Sequence, residues 1–233
     1  MPVAANWAGF YLGGNIGSGT GRDRSSLGVP FGVTEVFNLA PDGINGGVQA
    51  GYNWQAASWV YGLEIDLQGS SQRDNKTCVL RCTDPARFAT SDGLLSAAYD
   101  ARLPWFGTVR GRIGYSVGPT LFYATGGLAY GNVKTRITLN DGSGVNTVNT
   151  TQSSDTRSGW AAGGGIETPF DLFGAFGPNW TSKAEYLYVD LGTTTNAFAG
   201  FSGGSFTAST HVTEHIFRTG LNYHFGSPVV ARY

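Results

Sequence analysis

Charged residues are scarce in this chain, and several features that define common protein classes are missing. Asp, Glu, Lys and Arg make up only 13% of the 233 residues, about half of the usual quarter. The net charge is −1, so the composition favours no nucleic-acid partner. No apolar run approaches the roughly 18 residues of a transmembrane helix. A helical membrane protein is therefore excluded, whereas a β-barrel is not, because barrel strands need only alternate apolar residues.

Cysteine is equally rare, with Cys78 and Cys82 alone in the chain. Their C-x3-C spacing has no nearby histidine and makes a poor zinc site, because zinc takes four ligands. We expect a local disulfide formed in an oxidising compartment, with free thiols as the alternative. The N-terminal sequence MPVAANWAGF lacks the basic and apolar regions of a signal peptide. We expect a mature exported chain with an added Met1, the alternative being a cytosolic protein without a signal.

Motifs for catalysis and cofactor binding are also missing. The chain has no G-x-S-x-G, no H-E-x-x-H and no P-loop. His211 and His215 would lie about 13 Å apart on a strand, too far to chelate one ion. We expect no enzymatic activity, no metal and no cofactor.

What the chain does contain is a set of alternating segments with one apolar and one charged face. From residue 59 to residue 67 the odd positions are large and apolar, whereas Glu64 and Asp66 occupy even positions. Successive side chains of a strand point to opposite faces, so the two sets separate. The apolar faces are rich in aromatic residues, and the charges are of both signs. This pattern predicts an inside-out protein, apolar toward lipid and salt-bridged within.

Two groups of side chains follow from this pattern. The predicted interior charges are Glu64, Asp66, Arg110, Arg112, Glu167, Lys183, Glu185, Glu214 and Arg218. The predicted lipid-facing residues are Trp59, Tyr61, Leu63, Ile65, Leu67, Leu103, Trp105, Val109, Ile113, Tyr115, Tyr186, Tyr188, Phe217, Leu221 and Tyr223. Side chains just fill an eight-stranded barrel, and unpaired charges there are costly. We therefore predict a lumen plugged by ion pairs.

The succession of alternating and turn-rich segments predicts an all-β, antiparallel, up-and-down barrel as a single domain over 1–233. The predicted strands cover about 7–19, 44–56, 59–70, 98–117, 121–137, 159–170, 180–190 and 211–225, followed by a short extension at 226–233. Long connections at 20–43, 71–97, 138–157 and 192–210 alternate with shorter ones. Outer-membrane barrels have short periplasmic turns and long extracellular loops, which predicts periplasmic termini.

Six stretches of the sequence follow one another in an order that is typical of one family. They are NWAGFYLGGNIG, GYNWQ with GLEIDLQGS, FGTVRGRIGY, FYATGGLAYG, KAEYLYVDLG and FRTGLNYHF. Together they resemble the alphaproteobacterial outer-membrane β-barrel proteins, small surface proteins often labelled porin family and similar in architecture to the opacity proteins. The resemblance covers nearly the whole chain except the long loops.

The resemblance implies an integral outer-membrane barrel that contributes to envelope integrity and surface contacts. The implied partners are outer-membrane lipids, lipopolysaccharide, the barrel-assembly machinery and an extracellular ligand of the loops. Barrels of this kind commonly end in an aromatic assembly signal, for which Phe225 and Tyr233 are both candidates.

Three functions stay open from the residues: a structural and surface-contact barrel, a narrow porin for small solutes, and a soluble lipocalin-like carrier. Conductance would separate the first two. Solubility without detergent would favour the carrier, and so would charged residues at the odd positions from 59 to 67, where none are present.

Overall fold

The computed structural model describes residues 5–28, 34–79, 89–90, 93–94, 96–140, 147–171, 176–199 and 205–226. The strands in these ranges are β1 (Gly9–Gly21), β2 (Asp23–Gly28), β3 (Thr34–Leu39), β4 (Asp42–Ala56), β5 (Trp59–Val79), β6 (Ala89–Thr90), β7 (Gly93–Leu94), β8 (Ser96–Val117), β9 (Thr120–Asn140), β10 (Thr147–Pro169), β11 (Trp180–Ala199) and β12 (Ser205–His224). The same ranges contain no helix with the length and apolar character needed to cross a membrane.

One antiparallel sheet contains ten of these strands, in the order β1-β4-β5-β8-β9-β10-β11-β12-β2-β3. Strand β12 also pairs with β1, so the hydrogen bonding returns to its starting strand. We call the strands joined in this way, from β1 through β4, β5, β8, β9, β10 and β11 to β12, the closed series. Strands β6 and β7 form a separate two-stranded sheet.

The predicted strand count of eight is wrong, because the sheet has ten strands. The additional strands, β2 and β3, fall inside the predicted loop 20–43. Strand β2 pairs with the outer part of β12, from Arg24 opposite His211 to Gly28 opposite Thr207, and β3 pairs with β2. The predicted all-β, antiparallel, up-and-down architecture is confirmed.

Several strands are also longer than predicted and continue into segments that were predicted to be loops. Strand β5 extends to Val79, β10 begins at Thr147 and β11 reaches Ala199. The extensions of β10 and β11 are rich in Ser and Thr, a composition that suits turns. Threonine is nevertheless a good strand former, and each extension gains a neighbouring strand to pair with.

Side-chain burial alternates along the strands and defines an inner and an outer face. On β5 the even positions from Val60 to Gln68 are buried, whereas the odd positions from Trp59 to Gly69 are exposed. The same period of two appears on β4 and on β8 after its bulge. The inner face is therefore the one on which Glu64 and Asp66 lie.

Leu103 was predicted to face lipid, and this prediction is wrong, since the side chain is only 3% exposed. From Arg102 to Trp105, β8 advances three residues while β9 advances two, from Lys134 to Asn132. The extra residue makes a β-bulge, which reverses the inward and outward positions on its two sides. Pro104 lies within it and donates no backbone hydrogen bond, which suits an interrupted ladder.

The predicted disulfide lies outside the described part of the chain. Cys78 belongs to β5, but its side chain is not among the described ones, and Cys82 falls between the described ranges.

Candidate functional site

A cluster of buried charges occupies the inner face of the closed series, and we call it the charge network. Its cations are Arg110, Arg112, Lys183 and Arg218, and its anions are Glu64, Asp66, Glu167 and Glu185. The four positive and four negative side chains give no net formal charge, and each residue is at most 5% exposed. A buried ion is tolerated when it is paired and hydrogen-bonded, and every member of the network is paired.

Strand register brings the network together. Glu64 lies directly opposite Arg110 across β5 and β8, and Glu185 lies opposite Arg218 across β11 and β12. Glu167 and Lys183 are opposite each other on β10 and β11. Each of these positions is an even number of residues from its charged neighbour on the same strand, which keeps the side chains on one face.

Arg110 lies at the centre of the network and contacts carboxylates from two sides of the closed series. Its Nη2 atom is 2.5 Å from Glu64 Oε1 and 3.0 Å from Asp66 Oδ2, and its Nη1 atom is 3.2 Å from Glu185 Oε1. Its Nε donates to Thr108 Oγ1 at 2.8 Å. The guanidinium has a fixed fork of donors, so one side chain joins β5, β8 and β11.

Two further cations extend these connections across the interior. Arg218 Nη2 is 3.1 Å from Asp66 Oδ2 and 2.5 Å from Glu185 Oε2. Lys183 Nζ is 2.9 Å from Glu64 Oε2. Strands that are distant in the sheet order are thereby tied together through the middle of the closed series.

Arg112 and Glu167 form a second part of the network. Arg112 Nη1 is 3.1 Å from Glu167 Oε2, and its Nε donates to Asn53 Oδ1 at 2.8 Å. The guanidinium carbon lies 4.6 Å from the ring centre of Tyr11 and 5.3 Å from that of Tyr123, a cation–π arrangement.

Glu167 is also held by neutral donors. Thr181 Oγ1 donates to Glu167 Oε1 at 2.6 Å and Asn222 Nδ2 donates at 2.7 Å, while His224 Nε2 lies 3.1 Å from the same oxygen.

Tyrosines contribute to the network in a way that the sequence analysis missed. The hydroxyl of Tyr11 donates to Glu64 Oε2 at 2.7 Å, and that of Tyr123 donates to Glu185 Oε1 at 3.0 Å. Tyr11 fits because Gly51 faces it: a Cβ atom at position 51 would lie 2.3 Å from the Tyr11 hydroxyl oxygen. The sequence does contain a signal for this inward position, because Tyr11 shares its face of the strand with the small or polar Gly13 and Asn15.

Apolar layers cover the charge network on both sides along the closed series. One cluster contains Leu103, Phe106, Ala129, Val133, Ala161, Leu187, Val189, Leu191, Val212 and Ile216. The other contains Ala5, Trp7, Val60, Leu121 and Tyr123. Phe106 pairs with Gln68 and Val60 pairs with Gly114, so the clusters lie toward opposite ends of the β5–β8 pair. The charge network therefore lies between two apolar layers, the first of which is formed by β8 to β12, while the buried Gln68 and Gln72 of β5 lie at the same height.

Glu214 is buried at 1% exposure but does not join the network as predicted. Ile216 occupies the same face between Glu214 and Arg218 and belongs to the apolar layer. Glu214 accepts a hydrogen bond of 2.6 Å from Gln72 Nε2 at its Oε2 atom. Among the described residues, its Oε1 atom has no hydrogen-bond partner.

Asp23 lies beside this position on β2, beyond the closed series, and is 3% exposed. Burial raises the pKa of its carboxyl to about 7, against the lowering effects of the Thr213 backbone and Arg157, while Asp74 raises it further. A raised folded-state pKa means that the proton is held more tightly in the folded protein. The resulting stabilisation is complete below the ordinary carboxyl pKa and is lost as the pH rises through about 7.

We therefore expect the thermal unfolding midpoint to fall between pH 5 and pH 8 more in the wild type than in Asp23→Asn, which cannot titrate. Circular dichroism of the protein in neutral detergent measures the difference. Asp42→Asn removes an exposed carboxyl from the same end of the sheet and should retain the wild-type pH dependence. Equal pH dependence in the wild type and Asp23→Asn would contradict the assignment.

On the outer face, most of the predicted lipid-facing side chains are exposed. They are Trp59, Tyr61, Leu63, Ile65, Leu67, Val109, Ile113, Tyr115, Tyr186, Phe217 and Tyr223, with exposures between 36% and 59%. Trp105, Tyr188 and Leu221 are half-buried. Trp105 packs edge to face against Tyr130 at 6.2 Å, and Tyr188 packs against Trp160 at 5.2 Å. Trp7 and Tyr11, by contrast, are fully buried on the inner face.

The candidate assembly signals differ in what the structure describes. Phe225 is exposed, its backbone nitrogen donates to Phe10 O at 2.8 Å, and its ring lies 5.0 Å from that of Tyr223. Tyr233 lies outside the described residues.

The histidines on the outer face have local partners. His211 Nε2 is 3.4 Å from Asp190 Oδ2, and His215 Nδ1 is 2.7 Å from the Tyr186 hydroxyl. Within the ranges that the structure describes, no three His, Cys, Asp or Glu side chains are placed to hold a metal ion.

Comparison with known proteins gives the same picture of the fold. Residues 1–225 match the family model described as outer membrane protein beta-barrel domain. The 31 kDa outer-membrane immunogenic protein of Brucella melitensis biotype 1 is 38% identical over 232 residues, covering 94% of this chain and 84% of that protein. The 22 kDa outer membrane protein of Rhizobium leguminosarum bv. viciae is 34% identical over 192 residues, covering 80% and 65%.

Among solved structures, the outer membrane protein OprG from Pseudomonas aeruginosa is similar with a TM-score of 0.56 and 12% identity, covering 95% of this chain and 99% of that one. At this identity the likeness concerns the fold alone.

Proposed function

The chain belongs to the outer membrane protein beta-barrel domain family, and we propose that it is a closed structural barrel that forms surface contacts, a role that requires no enzymatic activity. The predicted family and the outer-membrane location are confirmed by these relatives. In the proposal, the closed series is the wall of a transmembrane barrel, and 1–233 is one domain.

The observation that carries the proposal is the distribution of side chains across this wall. Leu63 and Phe217 expose 57% and 59% of their surface on the outside, which suits lipid and not water. On the inside, the charge network lies between two apolar layers. A wide aqueous channel would leave its lining exposed to solvent, whereas the side chains of the charge network and of both apolar layers are buried. A soluble carrier would have the opposite arrangement of its faces.

Orientation and partners follow from the same proposal. The tight turns Ala57–Ser58 and Gly118–Pro119 lie at one end of the wall, and we assign this end, with both termini, to the periplasm. The strands that extend from the other end, including β2 and β3, then reach outside the cell. Outer-membrane lipids, lipopolysaccharide and the assembly machinery are the proposed partners, and the extracellular connections are available to a further ligand.

Reconstitution into planar bilayers tests the closed barrel against a narrow porin. We expect the wild type to give no reproducible conductance steps. The double variant Phe106→Ser/Ile216→Ser thins the apolar layer on one side of the network and should give measurable leak. A variant on the outer face, Val117→Ser, keeps the interior intact and should stay silent. Regular conductance steps in the wild type would overturn the closed barrel in favour of the porin.

A further inference from the structure

Three cations stand in a row across neighbouring strands on the outer face. Arg73 on β5 is directly opposite Arg102 on β8, and Arg102 is directly opposite Lys134 on β9. All three residues are exposed. Directly opposite residues of a sheet have Cβ atoms about 5 Å apart, and like charges in this arrangement repel each other. The row therefore has a local cost within the protein alone.

Other charges nearby only partly compensate the row. Arg102 Nε is 2.7 Å from Asp100 Oδ1, and this carboxylate lies opposite a fourth cation, Arg136. Asp42 is opposite Arg73 at the other end. This group of neighbouring residues carries a net charge of +2, from the four cations Arg73, Arg102, Lys134 and Arg136 and the two anions Asp42 and Asp100.

The β-bulge of β8 is what turns Arg102 outward. Beyond the bulge the even positions of this strand, including Arg110 and Arg112, point inward. Before it the odd positions Tyr99, Ala101 and Leu103 are buried, and Arg102 is exposed. Without the extra residue at Leu103–Pro104, a single alternation would place Arg102 on the inner face.

The row also has a defined height on the wall. Trp105 follows the bulge directly, and its ring contacts Tyr130 of β9 at 6.2 Å. Amphipathic rings of this kind mark the interface between hydrocarbon and headgroups. Leu67 and Val109, on the same outer face, lie on the hydrocarbon side of the pair. The cations therefore lie just beyond the apolar band, at the level of lipid headgroups on the side that carries the long strand extensions.

We propose that this row binds the phosphate groups of a phosphorylated glycolipid headgroup in the outer leaflet. The inference rests on the proposed function, which assigns this end of the wall to the cell exterior. Arginine forms two parallel hydrogen bonds to phosphate, and charge-assisted hydrogen bonds are about twice as strong as neutral ones. A phosphate between neighbouring cations would also remove their mutual repulsion. The acyl chains of a lipid whose headgroup lies at this row would contact the apolar outer face on the hydrocarbon side of Trp105.

Native mass spectrometry of the protein in detergent tests this site with two probes, lipid A carrying both phosphates and the same lipid A after phosphatase treatment. We expect the wild type to prefer the phosphorylated lipid by about tenfold, the factor that corresponds to about 1.4 kcal/mol. Arg102→Gln/Lys134→Gln should lose most of this preference. Arg22→Gln/Arg24→Gln removes the same charge from exposed side chains beside β12 and should keep the preference.

Each contrary outcome has its own meaning. Equal losses in the two double variants would show bulk charge attraction and overturn the site, as would a wild type without preference. Displacement of lipid A by inorganic phosphate at millimolar concentration would show a general anion site instead of a glycolipid site. Heat-modifiable mobility of each sample reports folding separately, so a wild type that never forms a barrel would count against the proposed function. Arg73→Gln gives a second, single-charge variant should either double variant fail to fold.

Discussion

Replacement of Leu63 with arginine should block assembly of the barrel almost completely. Leu63 lies in the outward row of β5 between Tyr61 and Ile65, and 57% of its surface is exposed. An arginine on the lipid face costs about 2–4 kcal/mol near the membrane midplane. The inserted state would lose this free energy, whereas the unfolded chain in water would lose nothing. We expect the variant to be nearly absent from the outer-membrane fraction.

Val36→Arg provides the matched control, because Val36 is 55% exposed but belongs to β3, outside the closed series. This variant should reach the outer membrane at the wild-type level. The measurement is the heat-modifiable band in membrane fractions of cells that express each variant equally. Normal assembly of Leu63→Arg would contradict a lipid-facing β5, and poor assembly of both variants would show only a general intolerance of new charge.

Removal of the Arg110 guanidinium should destabilise the folded barrel without preventing its insertion into the outer membrane. In Arg110→Met, the carboxylates of Glu64, Asp66 and Glu185 lose their shared partner while they stay buried. Breaking a buried ion pair costs about 3–5 kcal/mol, because the remaining charge is uncompensated. We expect a clearly lower unfolding temperature on a heat-modifiability gel series, together with normal recovery in the outer-membrane fraction.

Two further variants test whether the effect is specific to the buried network and whether its charges are coupled. Arg102→Ala removes an exposed arginine of the same strand and should leave the unfolding temperature unchanged, since surface ion pairs contribute little. Arg110→Met/Glu64→Gln removes one carboxylate with its partner, and we expect it to be less destabilised than the sum of the single variants. Strict additivity would mean that the network is not electrostatically coupled.

Alternation along the chain was sufficient to predict which side chains share a face. Glu64 and Arg110 are correctly placed on one face because a period of two persists wherever a strand is regular. The exposed position of Leu63 follows from the same rule. These predictions need no knowledge of distant contacts, since each depends on the residues of one strand.

Tertiary pairing decided what the sequence analysis missed. The bulge at Leu103–Pro104 is visible only in the register between β8 and β9, and it reversed the predicted face of Leu103. Strand β2 exists because β12 extends far enough to pair with it, so its Ser-rich sequence was mistaken for a loop. The apolar layer could have been predicted from the sequence, because Ile216 is two residues from Arg218 on the same strand and therefore lies on the same inner face.

The pairing of the first strand with the last has a consequence for biogenesis. The antiparallel pairing of β1 with β12 runs from Tyr11 opposite His224 to Gly21 opposite Glu214. These partners are separated by about two hundred positions in the chain. Contacts of such high sequence separation form late and slowly, because a long loop must close before they contribute. A nascent polypeptide that has not yet delivered its final strand would present two unsatisfied edges, the templates on which chains aggregate. Closure of the series therefore depends on delivery of the last strand of the chain.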